Sequence, residues 1–79
     1  MSNKDKYDKV FMDSFSIDKA KVGKNLVYES ISEWDSVGHM GMIAEIEESF
    51  GVMLETDDII DFSSYEKGIE ILKKYNISV

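Results

Sequence analysis

Residues 35–51, DSVGHMGMIAEIEESFG, constrain the fold more than any other part of the chain. His39, Met42, Ile43, Ile46 and Phe50 recur at i, i+3, i+4, i+7 and i+11, the stripe of an amphipathic helix. Asp35 is a good N-cap, because its carboxylate accepts orphan backbone N–H groups and favours the positive end of the helix dipole. Gly51 is placed to close the helix in a left-handed conformation. A striped helix needs partners to bury its apolar face. In 79 residues without a cysteine, neither a disulfide nor a thiolate metal site can substitute for them. No proline interrupts the chain and 43% of its residues are hydrophobic, enough for one small core made by helices packing on helices.

The flanking segments supply those helices. Tyr7, Val10, Phe11 and Phe15 form a stripe over residues 4–15. A long connection, residues 16–34, follows, with Val22, Leu26, Tyr28 and Ile31 as its anchors onto the core. LETDDIIDF predicts a short third helix capped by Thr56, with Ile59, Ile60 and Phe62 as apolar contacts. Ser63 and Glu66 form a capping-box pattern for a last helix, with Tyr65, Ile69, Leu72 and Tyr75 as its buried stripe and Asn76 ending it in a left-handed conformation. The prediction is an all-α fold: a small antiparallel four-helix bundle, in a single domain over residues 1–79, with a long loop between the first two helices.

Charge is unevenly distributed. Between Asn25 and Glu66 there are eleven acids and no lysine or arginine, while the rest of the chain holds nine lysines and five acids. The net charge is −7. Such a block repels phosphate backbones, which excludes nucleic acid as a partner. It is either a solvated acidic face or a steering field for basic protein surfaces. No apolar run approaches membrane-spanning length, and the opening MSNKDKYDKVF lacks the apolar core of a signal peptide. The expectation is a soluble, cytoplasmic monomer.

The helix over residues 36–50 has more apolar surface than one packed face uses. At about 100° per residue, Val37, Met40 and Ala44 form a second strip more than a quarter-turn from the first. Glu47 and Glu48 flank that strip, and Ser36 lies between the two strips at the first turn. Two readings stand: a docking patch rimmed by acid, or a strip hidden beneath the short third helix. Gly38 and Gly41 each cost the helix roughly 1 kcal/mol relative to Ala. Beside Ser36 they thin the surface for a partner's backbone, so Gly38→Ala and Gly41→Ala are expected to stabilise the fold and slow any modification of Ser36.

Ser36 and His39 are three apart, close enough to meet on a helix. Nucleophilic catalysis also needs an oriented base, an oxyanion hole and a pocket, and no G-x-S-x-G elbow is present. His39 reads as a residue at the core edge, its ring half buried with one nitrogen wet. The acids of ETDDIIDF lack the spacing and turn glycine of a calcium loop, and one histidine without cysteine does not build a zinc site. No catalytic residue and no metal ligand are assigned. What remains for Ser36 is modification by another protein.

The pattern E-x-D-S-V-x-x-M-x-x-I-x-x-I-E-E-x-F-G-V, residues 33–52, resembles the acyl carrier protein family. The resemblance extends from Tyr7 to Leu72 in length, acidity, helix spacing and serine position. It implies that Ser36, within the Asp35-Ser36-Val37 motif, receives 4′-phosphopantetheine from coenzyme A through a phosphopantetheinyl transferase. The arm's thiol then holds acyl groups as thioesters, and the protein itself is not an enzyme. It implies docking on basic patches of synthases, acyltransferases or adenylating enzymes through Val37, Met40, Ala44, Glu47 and Glu48, with Asp57, Asp58 and Asp61 nearby. For such a carrier, the long loop over residues 16–34 and the seam between the second and third helices, lined near Met42, Ile46, Phe62 and Ile69, are the expected shelter for a short acyl chain.

Departures from the family pattern narrow the role. Val37 stands where carriers of fatty-acid synthesis often have Leu, Gly38 and Gly41 where they often have acids, and Trp34 where a small residue is common. WDS is similar to discrete carriers of specialised pathways, among them aminoacyl, peptidyl and D-alanyl carriers. An acidic helical adaptor without a cofactor is the alternative of a different class.

Overall fold

The computed structural model describes residues Met1–Val79. It contains four helices, α1 (Asn3–Phe15), α2 (Ser36–Phe50), α3 (Thr56–Asp61) and α4 (Tyr65–Lys73), and a 3₁₀ turn at Lys19–Lys21. There is no strand beyond an isolated antiparallel bridge between Val27 and Ser64. The fold is the all-α bundle that the stripes predict.

α2 has the predicted ends. The Asp35 carboxylate accepts from Gly38 N–H at 2.8 Å, and Gly51 closes the helix at φ 65°. α1 begins at Asn3 after Ser2, whose hydroxyl accepts from Asp5 N–H at 3.1 Å. α3 and α4 are capped one residue away from the expected positions. Thr56 is the first residue of α3 rather than its cap, and Glu55 holds the cap position without a side-chain bond. Ser64, not Ser63, caps α4 by accepting from Lys67 N–H at 2.9 Å, so no capping box forms with Glu66. Tertiary pairing moves this cap: Tyr28 N–H bonds Ser63 O at 2.8 Å and Tyr65 N–H bonds Leu26 O at 2.9 Å. The long loop is thereby stitched to the start of α4. Asn76, at φ 64°, is left-handed as expected.

One core of fourteen buried apolar residues joins α1, α2, α4 and the connections between them. Phe11 sits at its centre, 5.6 Å from Trp34, 5.5 Å from Tyr65 and 4.9 Å from Tyr7 between ring centroids. Trp34 is the main anchor of the long loop: it is fully buried and stacks on Phe15 at 5.2 Å. Of the expected anchors, Leu26 is buried, Val22 and Ile31 are half-buried, and Tyr28 is exposed. Fully burying a large apolar side chain contributes about 1.5–3 kcal/mol, so an indole holds the loop far better than a valine at its margin. On α4, Tyr65 and Leu72 are buried, Ile69 is half-buried and Ile71 joins the core, while Tyr75, half-buried, lies just past the helix end. Ile60, expected as a contact, is 72% exposed.

α1 and α4 also share buried polar bonds. Tyr7 Oη donates to Tyr65 O at 2.7 Å, and Tyr65 Oη donates to Asp8 Oδ1 at 2.5 Å. Lys4 Nζ reaches the other Asp8 oxygen at 2.8 Å. Burial pushes both phenols well above their ordinary range. Gly68 is required at this junction, since a Cβ there would lie 2.2 Å from both the Phe62 ring and Tyr7 Oη.

α3 is rooted differently. It contributes no residue to the buried apolar core, and Ile59 is only partly packed against it. Asp58, its one buried side chain, bonds Lys74 Nζ and accepts from Tyr75 Oη at 2.5 Å. Tyr75 Oη also accepts from Glu55 N–H at 3.0 Å.

Candidate functional site

Ser36 is the first residue of α2, exposed beside the Asp35 cap. Next to it a crevice of about 340 Å³ opens between α2 and α3, lined by Tyr28, Ser36, His39, Met40, Ile59, Ile60, Phe62 and Ser63. No carboxylate and no lysine line it. Of the expected lining residues only Phe62 is present. Met42 and Ile46 are fully buried in the core, and Ile69 lies elsewhere on α4. The wheel of one helix does not tell which of its apolar residues a neighbour covers.

The second strip on α2 is open. Val37 is 80% exposed and Met40 54% exposed, and Ala44 and Glu48 are exposed beside them. α3 lies along the edge of the strip and adds Ile60 to it, a residue expected as an apolar contact. Asp57 and Asp61 are exposed on α3, so both can contribute to an acidic rim. Asp58 does not belong to that rim. It is buried, and its charge is matched by Lys74. Those hydrogen bonds, from Lys74 and then Tyr75, hold its carboxyl below the usual carboxylate range. Glu47 is half-buried, and its Oε2 accepts from Leu54 N–H at 2.9 Å, pinning the loop after α2. Partners sixteen and seven residues away carry no signal in the local pattern.

His39 is half-buried, but neither ring nitrogen is wet. Trp34 Nε1–H donates to Nδ1 at 2.9 Å, and Nε2 lies 2.8 Å from Ile59 O. An indole N–H only donates and a carbonyl only accepts, so Nδ1 is the acceptor and Nε2 carries the proton. Both nitrogens are committed, and the ring is not placed to take a proton from Ser36. The arrangement is not a serine–histidine dyad.

Gly38 and Gly41 differ although both stand in the first turns of α2. A Cβ on Gly38 would lie 2.0 Å from the Glu33 carbonyl oxygen, so this glycine lets the loop cross the helix start. A Cβ on Gly41 would meet nothing within 4 Å. The expectation that alanine stabilises both positions is therefore corrected for Gly38.

No helix is long and apolar enough to cross a membrane. No protein-family model matches the chain. An acyl carrier protein of Lactobacillus johnsonii (strain CNCM I-12250 / La1 / NCC 533) is similar to it, with 26% identity over 61 residues that cover 77% of this chain and 76% of that protein.

Proposed function

We propose that this protein is a carrier whose Ser36 bears a covalent 4′-phosphopantetheine arm. The observation that carries the reading is the exposed Ser36 at the capped start of α2, on the lip of an apolar crevice. The similarity to an acyl carrier protein supports it. The residues present fit the group: a serine at a helix tip is open to a visiting transferase, and the crevice begins at the attachment point.

The arm supplies a thiol that holds acyl groups as thioesters. Each neighbouring residue has a simpler task. Asp35 fixes the helix start by accepting from Gly38 N–H. Ser36 presents its hydroxyl without a base of its own, which leaves activation to the transferase. Val37, Met40 and Ile60 offer apolar contact to a partner, while Glu48, Asp57 and Asp61 steer basic docking surfaces toward the site. Ala44 extends the apolar strip, with the half-buried Glu47 behind it.

An acyl cargo suits the crevice better than an aminoacyl one. An ammonium group entering it would meet no carboxylate, and burying an unpaired charge is costly. The narrow partner set implied by the exposed Val37 and Gly41 points to a specialised pathway in the cytoplasm rather than general fatty-acid synthesis.

The test is mass spectrometry after incubation with coenzyme A and a broad-specificity phosphopantetheinyl transferase. One arm is expected per chain, and none on Ser36→Ala. A folded wild-type protein that accepts no arm overturns the reading and leaves the acidic adaptor in its place.

A further inference from the structure

We propose that His39 is the positioning residue that sets the crevice beside Ser36, by latching α3 to the start of α2 through Trp34. The inference deepens the carrier reading and rests on it for its functional meaning. Its geometry does not.

α3 has six residues and none in the buried apolar core. A helix this short is not self-supporting, so its position depends on outside ties. On one side the tie is Asp58, its third residue, with Lys74 and Tyr75, and Phe62 just past the helix end is buried in the core. On the side of α2 the tie is the carbonyl of the next residue, Ile59, one of the last carbonyls of the helix and without an intrahelical partner. His39 Nε2–H donates to it at 2.8 Å.

The ring making that bond is held firmly. Trp34 Nε1–H fixes its other nitrogen at 2.9 Å, and the two rings lie edge to edge, within 14° of parallel, with centroids 6.2 Å apart. Trp34 is itself fully buried against Phe15. Tyr28 and Phe62 meet the imidazole edge-on at 5.8 and 6.3 Å. A chain of contacts thus runs from the core, through Trp34 and His39, to the wall of the crevice. Ile59 and Ile60 stand in that wall, facing Met40 across the opening. Without the Nε2 bond, α3 keeps Asp58 and the Phe62 anchor and loses its bond to α2. The side of α3 that faces α2 then loosens and the crevice widens.

Two conservative variants separate the two bonds. His39→Asn keeps an acceptor near the Nδ1 position for Trp34 and loses the reach to Ile59. His39→Gln keeps a donor near the Nε2 position and leaves the indole N–H without an acceptor. Amide hydrogen exchange is read on the chain without its arm. His39→Asn is expected to speed exchange of Ile59 and its α3 neighbours roughly tenfold, with α1 and α4 unchanged. His39→Gln is expected to restore α3 protection while shifting the fluorescence of Trp34, the only tryptophan. Unchanged α3 exchange in His39→Asn overturns the latch. So does a uniform rise across all helices, or a failure of His39→Gln to restore protection.

On arm-bearing protein loaded with a short acyl group, hydroxylamine is expected to cleave the thioester severalfold faster in His39→Asn than in wild type. Equal rates overturn the latch's role at the crevice. A chain that refuses the arm sinks the carrier reading while the exchange result stands.

Discussion

The junction between α1 and α4 and the junction between α2 and α3 are built on opposite principles. The first is filled. Tyr7, Phe11, Phe62 and Tyr65 interlock there, and Gly68 is small because nothing larger fits. The second contains a crevice of about 340 Å³, and α3 is held beside it by a few directional bonds, from His39 to Ile59 and from Lys74 and Tyr75 to Asp58. Apolar packing is additive over many contacts and opens only when a whole helix leaves. A hydrogen-bonded tie contributes about 0.5–1.5 kcal/mol net, so a junction made of two ties opens locally and at low cost. The proposed site lies on the second kind of junction, where a ligand can enter without unfolding the first.

The sharpest way to break the contrast is Gly68→Ala. Its new Cβ would collide with the Phe62 ring and Tyr7 Oη, and the filled junction has no room to relax. Overpacking of this kind is expected to cost about 3 kcal/mol, visible as a lowered urea midpoint with an unchanged slope.

A smaller effect, with a change of sign inside one helix, comes from the two glycines of α2. Gly38→Ala forces the Glu33 carbonyl to move and is expected to cost about 2 kcal/mol. Gly41→Ala meets open space and is expected to stabilise by about 0.5–1 kcal/mol. Thermal denaturation of the pair measures both, and equal shifts of the same sign would refute the distinction.

A weaker change is expected with pH. Asp58's carboxyl is held below its ordinary range by Lys74 and Tyr75, so its tie is complete above the unfolded carboxyl value of about 4 and lost as pH falls through the folded value. Lys74 is raised by the same bond, which keeps its share through neutral pH and loses it only in strong alkali. Amide NMR during acid titration is therefore expected to show α3 loosening before α1 and α4. Asp58→Asn should abolish that acid step.

Much of this was legible in the chain, and its limits follow from locality. The α2 boundaries were readable because a helix obeys a period of 3.6, and Asp35 and Gly51 act on backbone groups within one turn of themselves. The same locality placed Ser36 at the helix tip and separated the open strip of Val37 and Met40 from the buried stripe of Met42, Ile43 and Ile46. The anchoring role of Trp34, the pairing of Asp58 and the bonds of the His39 nitrogens escaped the local pattern because their partners are remote or belong to another element. Trp34 packs on Phe15 across the long loop, Asp58 bonds Lys74 and Tyr75, and His39 bonds Ile59 twenty residues on. The cap of α4 moved from Ser63 to Ser64 because the loop pairs with that segment.

The helices, their apolar stripes and the serine at the start of α2 are written locally in the chain, because each depends on residues within a turn or two. Which apolar residues stay open, which acid is neutralised and where the crevice lies follow from how the helices pack. Those depend on surfaces brought together from distant parts of the chain, and a helical period carries no record of what the neighbouring helix covers.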